Sequence, residues 1–163
     1  MKSEFHNILI IDDEASMRHM LRLVLEQRGY RITEAENGLN GLGMLKKERF
    51  DAVLCDIRMA EMNGLDFLQQ TAVRNNSATI IMMSAYGSID TAIECLKLGA
   101  YDYISKPFKP DEVLLTLKKA AERQLLQREN LRLKKALATE NRPGSAADII
   151  TANSDMLGIL ESV

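Results

Sequence analysis

Cysteine is nearly missing from this chain: two residues in 163. Cys55 lies inside an apolar run and Cys95 inside a helical pattern. Neither has the CxxC spacing or histidine-rich surroundings that metal and redox chemistry use, so both read as small buried hydrophobes. Long apolar runs are missing too. None approaches the roughly 18 residues of a membrane span, and "MKSEFHN" lacks the charged-then-apolar layout of a secretory signal. A cytoplasmic protein with no membrane partner is the expectation. Excess charge is absent, with a net value of −2, so the chain advertises no nucleic-acid surface. There is no GxxxxGK[ST] phosphate loop and no helix-turn-helix candidate, which argues against ATP hydrolysis or DNA reading by these residues.

What is present is 46% hydrophobic and 27% charged, enough for one ordinary core and a modest appendage. Charge divides the chain into three segments. Residues 1–120 carry 15 basic and 17 acidic side chains, residues 121–142 carry 6 and 3, and residues 143–163 carry 3 acidic and no basic ones.

Within the first segment, short apolar runs alternate with helical patterns five times. The expected strands are Asn7–Ile11, Tyr30–Ala35, Ala52–Asp56, Thr79–Ser84 and Tyr101–Ser105. Met17, Met20, Leu21, Val24 and Leu25 mark one buried helix face, which Gly29 ends. A second helix follows Gly38 and a third runs from about Gly64 to Arg74. A fourth carries Ile89, Ala92, Ile93 and Leu96 on one face before Gly99. Strands separated by helices make parallel βαβ units, hence an α/β fold with a five-stranded parallel sheet covered on both sides. "ILII", "AVLC" and "TIIMM" are continuous apolar runs, as burial on both faces requires.

Ligands of such sheets sit at the carboxyl ends of the strands. Standing there are Asp12 and Asp13, Asp56, Ser84 and Lys106. Any one alone would read as a solvated loop residue. Together they are complementary: three close carboxylates repel one another, and a divalent cation removes the conflict. Mg²⁺ takes oxygen ligands and is typically held by one or two carboxylates with phosphate oxygens. An ammonium and a hydroxyl beside it suit a phosphoryl group. A carboxylate can be the phosphoryl acceptor, and Asp56, fixed by "AVLC", is the candidate, with Asp12 and Asp13 as the metal-holding pair and Lys106 and Ser84 on phosphoryl oxygens.

"IIDDE", "VLCDIRMAEMNGLDFL" and "IIMMSAYGSIDTAIECLKLGAYDYISKPF", in this order over residues 5 to about 120, resemble the receiver domain of bacterial two-component response regulators. The resemblance implies a flavodoxin-like (CheY-like) doubly wound sheet of strand order 2-1-3-4-5. It implies that Asp56 takes a phosphoryl group from a sensor histidine kinase. It assigns Mg²⁺ to Asp13, Asp56 and the main-chain carbonyl of Arg58, with Asp12 acting through water. It also implies a cis Lys106–Pro107 bond, and an aromatic, Tyr103, that swings inward when the Ser84 hydroxyl is drawn toward the phosphate. That motion would couple the site to the face of the fourth helix, fifth strand and fifth helix. Tyr103 is expected on the same strand face as Tyr101. Arg58 and Tyr86 border the site where the family varies the lifetime of the phosphoryl group. The family commonly has Pro where Ala60 stands, a departure expected to loosen the loop without altering the chemistry.

From about Asp111, taken as an N-cap, no Gly or Pro appears until Pro143, and the stretch is rich in strong helix formers. Some thirty helical residues reach about 45 Å at 1.5 Å each, more than a small domain needs. Leu126, Asn130, Leu133 and Leu137 are spaced as a d-a-d-a seam with Asn at an a position, a device that fixes register in parallel two-stranded coils. Glu129 and Lys134 then fall at g and e. A homodimeric coiled coil over 121–142 is expected, although Lys119 and Arg123 interrupt the frame upstream. After a "RPGSA" linker, "DIITANSDMLGILESV" weakly resembles the opening of the ATPase domain of NtrC-type sigma-54-dependent regulators. Residues 143–163 are therefore expected to be its truncated start. The full-length partners implied are ATPase and DNA-binding domains, sigma-54 RNA polymerase and DNA.

Three other functions compete. A turnover phosphotransferase or phosphatase would want a second acid or base, and neither His6 nor His19 is placed at the carboxyl edge. A flavin or nucleotide binder would want Gly, Ser and Thr after the first strand, where "DDEAS" is the electrostatic opposite. A coiled-coil adaptor with an inactive receiver would not need the intact acidic set. A phosphoacceptor switch, and not a turnover enzyme, is the expected function.

Overall fold

A computed structural model describes residues 5–74 and 76–140; the expected linker and ATPase start at 143–163 lie outside the described residues. Five strands, β1 (Asn7–Ile11), β2 (Arg31–Ala35), β3 (Ala52–Asp56), β4 (Thr79–Ser84) and β5 (Asp102–Ser105), alternate with helices α1 (Ala15–Gln27), α2 (Gly38–Lys47), α3 (Gly64–Val73), α4 (Ile89–Lys97) and α5 (Pro110–Glu140). The strands pair in parallel in the order β2-β1-β3-β4-β5.

Alternation along each strand sends neighbouring residues to opposite faces. The continuous apolar runs therefore supply two cores at once. Ile8, Ile10, Ala52, Leu54, Ile81, Met83 and Ile104 pack with Leu21 and Leu25 of α1 and Val113 and Leu117 of α5. Leu9, Ile11, Val53, Cys55, Ile80 and Met82 pack with Leu42 of α2, Phe67 and Leu68 of α3 and Cys95 of α4. The central β3 is buried at every position. Side-chain oxygens of Asn37, Asn63 and Ser88 cap α2, α3 and α4 by accepting from Asn40, Asp66 and Thr91 N–H. Gly29 and Gly99 follow α1 and α4 with φ of +90° and +107°, the left-handed turn that ends a helix.

Three expectations need correction. β2 and β5 begin one residue late, at Arg31 and Asp102. Tyr101 consequently lies outside β5 and packs on the α1/α5 core, while Tyr103 packs on the other, so the two do not share a face. Asp111 is not an N-cap. α5 starts at Pro110, whose missing N–H costs nothing in a first turn, and Asp111 and Glu112 lie within that turn. The apolar stripe of α4 faces outward, with Ile89 80%, Ile93 44% and Leu96 47% exposed. α4 seats itself through buried Cys95 and half-buried Leu98, at the opposite helical phase.

The described residues fall into two units, one ending at Glu122 and the next beginning at Arg123. In the second, Leu126, Leu131, Leu133 and Leu137 are all more than half exposed. Among the described residues no helix is long and apolar enough to cross a membrane.

Candidate functional site

The strand ends deliver the acidic residues to one edge. Asp12 directly follows β1 and is fully buried; Asp56 closes β3 and is 5% exposed; Asp13 is exposed. One carboxylate oxygen from each lies within 4.8 Å of the others. β5 brings in the cation: Lys106 Nζ donates to Asp12 Oδ2 at 2.8 Å and stands 3.7 Å from Asp56 Oδ1. Ser84, at the end of β4, is buried, and its Oγ accepts from Tyr86 N–H at 3.2 Å. Lys106 N–H donates to the Ser84 carbonyl at 2.8 Å, which ties the hydroxyl and ammonium residues together. The Lys106–Pro107 peptide is cis. The Arg58 guanidinium lies over the Tyr86 ring, 4.8 Å from its centroid, joining the loops that follow β3 and β4.

Both Asp12 oxygens are occupied, since Oδ1 accepts from Glu14 N–H at 2.9 Å. Asp56 Oδ1 accepts from Ile57 N–H at 2.9 Å. Among the described residues nothing hydrogen-bonds the Asp13 carboxylate.

Burial pushes the Asp56 carboxyl up to about 6, with the Asp12 and Asp13 charges adding to the rise and Lys106 and the Ile57 N–H opposing it. Burial pulls Lys106 down, but the Asp12 hydrogen bond and charge, with Asp56 and Glu14, outweigh it and leave the ammonium above its ordinary value. The site thus holds a carboxylate short of positive charge beside a firmly charged lysine. Cys55, next to Asp56, is raised well up by burial and the neighbouring carboxylates, so its thiol is no nucleophile here.

Folded Asp56 titrates near 6 against an ordinary 3.8, so between those values the native state binds more protons than the unfolded one. The contribution of Asp56 to the stability of the metal-free protein is expected to fall as pH rises from about 4 to about 6, counter to the usual carboxylate trend. Urea melts in EDTA across this range check it; a steady rise attributable to Asp56 would contradict the shift.

Sequence reasoning overlooked several supporting residues. Gly64, read only as a helix start, passes so close to Asp56 that a Cβ there would lie 2.3 Å from the Asp56 carbonyl oxygen and 2.8 Å from Ile57 Cα, and its N–H donates to the Ile57 carbonyl at 2.8 Å. The glycine in "MNGLDF" was the available signal. Arg18 donates from its guanidinium to the Asp12 carbonyl at 2.8 Å. Asn37 Nδ2 donates to Glu61 Oε2 at 3.2 Å, Gly38 N–H donates to the Met62 carbonyl at 3.3 Å, and Glu61 has a φ of +65°. The loop after β3, where Ala60 stands in place of the expected Pro, is therefore fastened to the start of α2. Those last contacts join distant segments and leave no local pattern.

Residues 8–118 match the response regulator receiver domain family. The chain is 45% identical over 120 residues to the transcriptional regulatory protein ZraR of Klebsiella oxytoca, covering 74% of this chain and 27% of that protein. It is 36% identical over 154 residues to the regulatory protein AtoC of Escherichia coli K12, covering 94% and 33%. The chain thus spans about a quarter to a third of the length of these curated relatives. Among solved structures, a CheY-like response regulator receiver domain protein from Methanospirillum hungatei superposes with a TM-score of 0.71 at 29% identity, over 76% of this chain and 99% of that one. The beryllofluoride-activated NtrC4 receiver domain dimer gives 0.68 at 31% identity, over 72% and 97%. An acidic pocket at the carboxyl edge of a 2-1-3-4-5 sheet, a lysine paired to it, a serine at the end of the neighbouring strand, and these matches lead to one conclusion: the chain belongs to the response regulator receiver domain family.

Proposed function

We propose that Asp56 is the phosphoacceptor of a phosphorelay. The observation that carries this reading is the convergence, on one buried carboxylate, of a charged lysine and two further carboxylates, with a buried serine closing the neighbouring strand. An Asp56 oxygen attacks the phosphorus of a phosphohistidine on a sensor kinase; the O–P bond forms, the N–P bond breaks, and the imidazole regains a proton. Lys106, already oriented by Asp12, meets one phosphoryl oxygen and Ser84 another. Bound Mg²⁺ would neutralise the carboxylates and the incoming phosphoryl charge. Asp13, Asp56 and the Arg58 carbonyl would hold it directly, and Asp12 through water. The engaged oxygens of Asp12 and the unengaged ones of Asp13 favour this division of labour. Asp13→Ala is accordingly expected to weaken Mg²⁺ binding, read by titration calorimetry, more than Asp12→Ala does; the reverse order would show the division to be wrong.

The signal would pass through Ser84 and Tyr103 to the face formed by α4, β5 and the start of α5, where Tyr86, Ile89, Ile93, Leu96 and Leu115 are exposed. We read residues 1–120 as the receiver, 121–142 as a dimeric helical linker and 143–163 as the start of an ATPase domain. Exposed Leu126, Leu133 and Leu137, with Asn130, support the seam of a homodimer. In the full-length protein, ATPase and DNA-binding domains, sigma-54 RNA polymerase and DNA would be the downstream partners.

Sedimentation of the chain with and without Mg²⁺ and beryllofluoride, a phosphoryl mimic, tests the coupling. The expected result is a dimer whose dissociation constant shifts when both are present. An unaltered constant would sink the coupling, and a monomer throughout would sink the seam as well.

A further inference from the structure

The short loop between β4 and α4, "SAYGS" from Ser84 to Ser88, links the proposed phosphoryl-sensing hydroxyl to the α4 N-cap, and one of its residues meets Tyr103. A Cβ built on Gly87 would fall 1.1 Å from the Tyr103 hydroxyl oxygen, 2.3 Å from Cζ and 3.2 Å from Cε1. The ring tip thus fills the space that any side chain at position 87 would claim. All three atoms belong to one side chain. The closest contacts are therefore with the far end of a side chain, so what yields first to a larger residue is the tyrosine, which can turn to another staggered rotamer.

Tyr103 is also weakly tethered at that end. Its hydroxyl is buried, and no hydrogen-bond partner for it exists among the described residues. Packing of the ring on the core shared by α2, α3 and α4 holds it in place.

We propose that Gly87 is a positioning residue for the switch: its missing side chain is the seat that admits the Tyr103 ring, and any larger residue there uncouples Tyr103 from the phosphoryl site. Among the described residues Gly87 makes no hydrogen bond to the carboxylates or to Lys106. The proposal rests on the reading of Tyr103 as the transmitting aromatic and adds what decides whether it can dock.

The test is NMR of the full chain with ring-labelled tyrosine, the Tyr103 signal being assigned by its loss in Tyr103→Phe. In the wild type this signal is expected to shift when Mg²⁺ and beryllofluoride are added. In Gly87→Ala it is expected to be displaced from the start and to respond no further. Mg²⁺ affinity and labelling by acetyl phosphate are expected to be unchanged, a pattern that general structural damage would not give. In a Tyr103→Ala background, Gly87→Ala is expected to alter neither beryllofluoride-dependent sedimentation nor the melting temperature, as coupled neighbours require. A Tyr103 ring that keeps its wild-type position and response in Gly87→Ala overturns the proposal and leaves the Tyr103 reading intact. A wild-type ring indifferent to beryllofluoride overturns that reading, and the proposal with it. If Gly87→Ala alone does not fold, Gly87→Ala in the Tyr103→Ala background must, or the steric argument fails.

Discussion

Asp56→Asn is expected to make the metal-free protein more stable at pH 7 while abolishing its stabilisation by Mg²⁺. The Asp56 carboxyl is raised to about 6 by burial and by its acidic neighbours. At pH 7 it is therefore ionised against its surroundings, and that cost weighs on the folded state alone. Removing the charge is expected to return about 1–3 kcal/mol, the lower part of the range because Lys106 loses one of its two carboxylate neighbours. For a domain of this size that is several degrees in melting temperature. The gain should vanish near pH 4, where Asp56 is protonated anyway. Thermal melts at pH 4 and pH 7, in EDTA and in Mg²⁺, check all three parts. A variant melting below the wild type in EDTA at pH 7 would mean that Asp56 is not under electrostatic stress. The same stress is what a site needs if it is to seize a cation and then a phosphoryl group, so stability is given up where function requires it.

Gly64→Ala is expected to do the opposite and to do it more strongly. The added Cβ would stand 2.3 Å from the Asp56 carbonyl oxygen and 2.8 Å from Ile57 Cα. Both are backbone atoms at or beside Asp56, and neither can escape by a change of rotamer. Overpacking of this kind costs about 3 kcal/mol or more. It would also displace the loop whose Arg58 carbonyl is proposed to face the metal, so Mg²⁺ binding should weaken beyond what lost stability explains. Gly43 is the control. It lies inside α2 with nothing within 4 Å of an added Cβ, and Gly43→Ala is expected to stabilise by about 0.5–1 kcal/mol through helix propensity. Chemical denaturation of both variants compares them, and equal effects would show that the contact beneath Asp56 is not tight.

The sheet and its acidic edge were legible because both are written locally. Continuous apolar runs such as "AVLC" identify strands buried on two faces, and whatever follows each run stands at the carboxyl edge. That reasoning places Asp12, Asp56, Ser84 and Lys106 without reference to any distance. Phase errors arose where a one-residue shift matters. Starting β5 at Tyr101 put Tyr101 and Tyr103 on one face, whereas the strand starts at Asp102 and the two tyrosines join different cores. The α4 stripe of Ile89, Ile93 and Leu96 was read correctly as a stripe. Periodicity does not say which side of a helix meets the protein, and the short α4 uses Cys95 instead. Contacts between distant segments left no trace: Arg18 on the Asp12 carbonyl, Asn37 on Glu61, and Tyr103 against Gly87 all depend on which loops the fold makes neighbours. Gly64 is intermediate, since a glycine was visible but the reason for it was a backbone contact.

The central claim is that Asp56 takes the phosphoryl group, and trapping the modified residue tests it most directly. The chain is incubated with acetyl phosphate and Mg²⁺, reduced with borohydride to fix the acyl phosphate position, and mapped by peptide mass spectrometry. One phosphoryl group per chain is expected, dependent on Mg²⁺, located at Asp56 and absent from Asp56→Asn. Undiminished labelling of Asp56→Asn, or a trapped residue at Asp12 or Asp13 in the wild type, would contradict the assignment.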